Sequence, residues 1–197
     1  MKKPNRQNIV SAEFIRGLVE SSKEIEADFP QVAFIGRSNA GKSSVINSLT
    51  KQKDLARVSS SPGRTQEINL FLINKFLYLA DLPGYGFVKS SRTARARLEQ
   101  LINWYLFLSG YEQKLVVLII DAELALTESD LEMLKGLKEH RKNVIIVANK
   151  IDKIKKSDYV GRLEKIRNQA YGFMVIPYSA KKKIGTTLLI KEIFESV

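Results

Sequence analysis

Gln31-Val32-Ala33-Phe34-Ile35-Gly36-Arg37-Ser38-Asn39-Ala40-Gly41-Lys42-Ser43 is the stretch that decides the fold. It opens with a short apolar run of strand length, which without alternation belongs to a strand covered on both faces. A Gly-x-x-x-x-Gly-Lys-Ser turn follows, Gly36 to Ser43, and leads into a helix. Strand, glycine-rich turn and helix together are what a phosphate-binding loop requires. The glycines let backbone N–H groups turn inward on phosphate, and the helix N-terminus adds positive potential. In such a loop Lys42 reaches the β and γ phosphates, and the Ser43 hydroxyl binds Mg2+.

Outward from this loop the chain alternates. Short apolar, β-branched runs at 31–36, 68–73, 76–81, 115–121, 143–148 and 173–178 predict six strands. Helical patterns lie between them. One carries Leu131, Leu134 and Leu137 after the capping box Thr127-Glu128-Ser129-Asp130, one runs near 93–109, and the last carries Leu189, Ile190, Ile193, Phe194 and Val197 on one face. Alternating strands and helices imply a three-layer α/β fold, a six-stranded, mostly parallel sheet with helices on both faces. Only 68–81, turning at Asn74-Lys75, is too tight for a crossover, so 68–73 is expected as one antiparallel edge strand. With no repeat or linker to divide it, the chain reads as an N-terminal extension, 1–24, and one domain, 25–197.

In such a sheet ligands bind at the carboxyl ends of the strands, where the other motifs fall. Asp81-Leu82-Pro83-Gly84 ends the third strand. There an Asp holds magnesium through water, and a Gly offers its N–H to a γ-phosphate. Asn149-Lys150-Ile151-Asp152 follows the fifth. The Asp152 carboxylate can accept from guanine N1–H and the 2-amino group, neither of which adenine offers, so this residue makes the nucleotide guanine. Lys150 would lay its stem along the base, and Asn149 would tie this loop to the first. Ser179-Ala180-Lys181 follows the sixth strand and supplies a fourth wall, the Ala180 N–H facing guanine O6. In the segment Ser59 to Gln66, Thr65 is the candidate for closing on Mg2+ when the γ-phosphate is present.

Composition narrows the class. The chain has 197 residues, 44% of them hydrophobic, which suits one soluble folded domain. Absence of cysteine removes disulfides and thiolate sites and fits the cytoplasm. No apolar run is long enough to cross a bilayer, so no membrane partner is expected. A net charge of +11 attracts polyanions and disfavours self-association, so a monomer is expected. Basic residues crowd 51–97, with Lys51, Lys53, Arg57, Arg64, Lys75, Lys89, Arg92, Arg95 and Arg97 against Asp54, Glu67 and Asp81. His140 is expected at a helix end, making a dipole contact, and Trp104, Tyr105 and Phe107 in the core.

The chain resembles the translation-factor-related GTPases, and within them the bacterial EngB (YihA/YsxC) family. The resemblance rests on Gly36 to Ser44 with Ile46-Asn47, on Pro62-Gly63-Arg64-Thr65-Gln66 and on Asp81-Leu82-Pro83-Gly84-Tyr85-Gly86. It implies a P-loop GTPase fold and a nucleotide-dependent switch that hydrolyses GTP to GDP in assembly of the large ribosomal subunit, with ribosomal RNA as partner and a link to cell division and septum formation. DNA is not expected. The alternative is a GTP-dependent regulator of a protein partner with no RNA contact. The resemblance also brings Ser44, Gly63 and Arg64 into the nucleotide site, with Lys42, Thr65, Gly84 and Asn39 as the catalytic set. Many small GTPases carry a water-orienting glutamine where this chain has Tyr85, whose phenol cannot do that work, so slow intrinsic turnover is expected. In related GTPases an Asn at the position of Asn39 helps bind K+ beside the phosphates.

Overall fold

The computed structural model describes residues 8–20, 29–56, 67–86 and 91–197. Its seven strands lie in the order β1-β3-β4-β2-β5-β6-β7. They span Ala12–Leu18 (β1), Gln31–Gly36 (β2), Ile68–Ile73 (β3), Leu77–Asp81 (β4), Gln113–Asp121 (β5), Val144–Asn149 (β6) and Met174–Pro177 (β7). β4, β2, β5, β6 and β7 run parallel, while β3 is antiparallel to both β4 and β1.

The helices are α1 (Lys42–Thr50), α2 (Arg92–Asn103), α3 (Glu128–Glu139), α4 (Tyr159–Gln169) and α5 (Thr186–Glu195). α1 and α5 cover one face of the sheet, burying Val45, Ile46 and Leu49 with Leu189, Ile190 and Ile193. α2, α3 and α4 cover the other with Leu101, Ile102, Leu134, Leu137, Leu163 and Ile166. Alternation along β5 explains why its sequence is apolar from Leu115 to Ile120. Leu115, Val117 and Ile119 join the first core, Val116, Leu118 and Ile120 the second.

One expectation is corrected. The sheet has seven strands where six are read from the sequence, and β3 is an interior strand, because β1 pairs along it from Ala12↔Ile73 to Leu18↔Ile68. β1 lies within residues 1–24, so part of that stretch joins the sheet. The turn that ends β3 also holds the chain leading into β1. Asn74 and Lys75 both adopt left-handed backbone, and the Asn74 Oδ1 accepts from the N–H groups of Val10 (2.8 Å) and Ser11 (3.1 Å).

Two smaller expectations hold. Asp130 closes the capping box at the start of α3, its carboxylate accepting from the Thr127 N–H at 3.0 Å. The predicted helix near 93–109 is α2 extended by a π-helical turn, Trp104–Leu108, that sets Tyr105 fully into the core with its hydroxyl on Gln31 Oε1 at 2.6 Å.

Candidate functional site

The chain reverses its direction of winding at β2 and β5, so the crevice at their carboxyl ends is the ligand position of this sheet class. The glycine-rich loop leaves β2 there. Asn39 (φ 70°) and Gly41 (φ 93°) are left-handed, and the Ala40 N–H donates to the Arg37 carbonyl at 3.0 Å, curling the loop before α1 begins at Lys42. Gly41 cannot carry a side chain. Besides its positive φ, a Cβ would sit 2.4 Å from the Asn149 Nδ2. The first turn of α1 brings Lys42, Ser43 and Ser44 to the same end, each half-buried.

Asp81 ends β4 almost fully buried and forms an ion pair with Lys42. Beyond it the chain keeps to β2, since the Leu82 N–H donates to the Phe34 carbonyl at 3.0 Å. Gly84 lies against the glycine-rich loop, where a Cβ would come 2.9 Å from Ser38 Oγ and 3.2 Å from the Ser38 backbone. A side chain there would have to displace the Ser38 hydroxyl and press on its backbone. Tyr85 turns into the core, and burial, then the Asp130 carboxylate beside it, hold its phenol well above the usual tyrosine range.

The loops after β6 and β7 are wired to the first by side chains. Asn149, buried, donates from Nδ2 to the Ala40 carbonyl (3.0 Å) and accepts from the Ala180 N–H on Oδ1 (3.2 Å). Lys150 donates to the Asn39 carbonyl and to Asp121 Oδ2, both at 2.6 Å. The buried Ser179 hydroxyl donates to the Asp152 carboxylate, leaving Asp152 itself exposed at the rim with Lys181. The Tyr178 hydroxyl, 3.1 Å from Ser48 Oγ and 3.2 Å from Thr186 Oγ1, ties α1 to α5 beneath.

The structure therefore brings together residues 36–44 with Asp81, Gly84, Asn149, Lys150, Asp152, Ser179, Ala180 and Lys181. Gly63, Arg64 and Thr65 lie outside the described residues, as do Arg57 and Lys89 of the basic cluster. Two residues of this neighbourhood escape the sequence reading. Asp121 ends β5 level with Asn149 and holds Lys150, but a lone aspartate at a strand end carries no motif. Asp130, read from sequence only as a helix cap, also holds the Tyr85 hydroxyl at 2.6 Å. Of the aromatic residues placed in the core by sequence, Tyr105 is fully buried, while Trp104 and Phe107 are half-buried and pack against that core; His140 lies where the sequence puts it. His140 caps α3 with its Nδ1 2.9 Å from the Gly136 carbonyl, against Phe107.

Comparison with known proteins decides the relationship. Residues 31–150 match a family described as "50S ribosome-binding GTPase". The chain is 38% identical over 193 residues to the "Probable GTP-binding protein EngB" of Clostridium perfringens (strain SM101), covering 96% of this chain and 97% of that one. It is 39% identical over 189 residues to the protein of the same name from Acholeplasma laidlawii, covering 95% and 98%. The chain belongs to the EngB family of GTP-binding proteins. The EngB relatives, unlike the 31–150 match, extend past Asp152 and Ser179, so both sides of the crevice fall within the family. A crystal structure of a probable GTP-binding protein EngB superposes with a TM-score of 0.72 at 26% identity, covering 84% of this chain and 97% of that one. A structure of Era with MgGDPNP and nucleotides 1506–1542 of 16S ribosomal RNA matches with a TM-score of 0.70 at 25% identity, covering 85% of this chain and 56% of that one. Among the described residues no helix is long and apolar enough to cross a membrane.

Proposed function

We propose that this EngB-family chain binds GTP and GDP with Mg2+, hydrolyses GTP, and acts as a nucleotide-dependent switch on the large ribosomal subunit during its assembly. The observation that carries the reading is the double bridge of Asn149, from the carbonyl of Ala40 in the phosphate loop to the N–H of Ala180 beside the base pocket. One buried amide thus sets the spacing between the triphosphate grip and the purine reader, Asp152. The family description and the ribosomal RNA bound to Era support the ribosomal partner. The family resemblance adds the link to cell division, and the lack of cysteine suits the cytoplasm.

In this reading the amides of residues 36–44 and the Lys42 ammonium hold the phosphates, and Gly84 gives its N–H to the γ-phosphate. Asp152 accepts from guanine N1–H and the 2-amino group, Lys150 lines the base, and Ser179, Ala180 and Lys181 close the pocket. The Ser43 hydroxyl, in the first turn of α1, and the Asp81 carboxylate, at the end of β4, are hard oxygen donors, a set that suits an ion which keeps several waters and takes one or two protein oxygens. Mg2+ there would neutralise charge on the β and γ oxygens. Thr65 would complete the set, and Gly63 and Arg64 would close with it. Asn39, exposed on the loop, is the proposed K+ ligand. Tyr85 is turned away from any attacking water, so turnover by the chain alone should be slow.

Single-turnover release of phosphate from GTP, with and without purified large ribosomal subunits, tests the proposal. Acceleration by the subunits is expected, with co-sedimentation stronger in a non-hydrolysable GTP analogue and falling steeply with salt. Binding that is flat in salt would favour a protein partner, and absence of phosphate release in both arms would leave a binding module that does not hydrolyse.

A further inference from the structure

Tyr85 makes contacts that the nucleotide site alone does not explain. It follows Gly84 directly and touches two other elements. Its carbonyl accepts from the Ser38 N–H at 3.0 Å, and it forms an isolated parallel bridge with Arg37, so its backbone is stitched to the phosphate loop. Its side chain, 7% exposed, crosses to α3 and donates to Asp130 Oδ1 at 2.6 Å. Asp130 is 1% exposed, and its other oxygen accepts from the N–H (3.0 Å) and hydroxyl (2.7 Å) of Thr127, which fixes the first turn of α3. Glycine-rich loop, Gly84 and α3 are thereby joined through one residue, by its backbone on one side and its rigid side chain on the other.

The energetics make this a lever as well as a support. A tyrosine has few torsions to absorb movement, and a hydrogen bond to a buried carboxylate is costly to leave unmade. Gly84 has little room either, because it packs closely on Ser38, 3.2 Å from whose backbone a Cβ would lie. Displacement of Gly84 toward or away from a phosphate must therefore stretch the Tyr85 hydroxyl off Asp130 or carry the start of α3 with it.

We propose that Asp130, acting through Tyr85, is a positioning residue that sets Gly84 for the γ-phosphate and transmits its occupancy to the amino end of α3. The proposal rests on the guanine-nucleotide reading above. It assigns to the position where other GTPases orient water a mechanical task, and it makes the first turn of α3 a nucleotide-sensitive surface.

Tyr85→Phe, Asp130→Asn and the double variant test it in the full-length chain. The measurements are affinity for GDP, affinity for a non-hydrolysable GTP analogue, and amide hydrogen exchange over 127–134 in each nucleotide. Tyr85→Phe should leave GDP affinity within about twofold and weaken the analogue roughly fivefold to tenfold, the size of a charged hydrogen bond partly lost. The double variant should be no worse than the more affected single, as for two residues on one path. Exchange over 127–134 should differ between GDP and analogue in the unaltered chain and become alike in Tyr85→Phe. A merely structural pair would lower both affinities together along with the melting temperature, and that result would overturn the proposal. An unchanged ratio in both singles would overturn it as well. If the unaltered chain bound no guanine nucleotide, the underlying reading would fail first, a result separable from either of these.

Discussion

The base side and the phosphate side of the crevice are built differently. On the proposed base side the linking side chains already hold protein partners. Asn149 bridges Ala40 and Ala180, Lys150 bridges Asn39 and Asp121, and Ser179 holds Asp152. On the proposed phosphate side the Lys42 ammonium is paired with Asp81, and in the proposed function both groups would take other partners once phosphate and Mg2+ arrive. In the proposed reading guanine selection would rest on a frame fixed in advance, whereas the phosphate end would have to exchange partners. A preorganised frame lowers the ordering cost of binding, and an exchanging one is where a switch can be placed.

Substitutions can break this contrast in graded ways. Asp152→Ala should have the largest effect, a loss of guanine-nucleotide affinity of about a thousandfold or more with adenine-nucleotide binding unchanged, because only the guanine donors lose their partner. Competition titrations with GDP and ADP read this directly. Lys42→Ala should cost about a hundredfold in GTP affinity, since it removes a charge-assisted contact to phosphate. GDP should suffer less, as the γ-phosphate contact is missing from it. Asn149→Ala should cost about 1–3 kcal/mol of folding stability by leaving the Ala40 carbonyl and the Ala180 N–H without their bridge. It should also weaken GDP and GTP alike, because the frame serves both, and a loss confined to GTP would erase the distinction drawn between the two sides. Replacing potassium by sodium at saturating GTP should have the smallest effect, slower hydrolysis with unchanged GDP affinity, and equal rates would remove Asn39 from the phosphate machinery.

The same contrast governs what could be read from sequence. Strands covered on both faces announce themselves, because the central positions of β2, β5 and β6 are apolar on both sides. The loop motifs are legible for a similar reason, since Gly41 stands at a positive φ against Asn149 and Gly84 packs closely on Ser38. β1 is different. Apart from Leu18 its residues are exposed or half-buried, so Glu13 and Arg16 interrupt any apolar pattern, and its place is set by pairing with β3, from Ala12↔Ile73 to Leu18↔Ile68, at least 50 residues later. The π-helical turn escapes a reading based on the 3.6-residue period alone. Contacts such as Tyr85 with Asp130, 45 residues apart, and Lys150 with Asp121, 29 apart, depend on which strand ends meet, which becomes known only once the sheet order is.

The account depends above all on separated strand ends forming one guanine-nucleotide site, and equilibrium binding of GDP to the purified chain, competed by GTP and by ADP, tests that most directly. Displacement by GTP with none by ADP at a hundredfold higher concentration is the predicted result. Failure to bind GDP, or displacement by ADP as effective as by GTP, would contradict it.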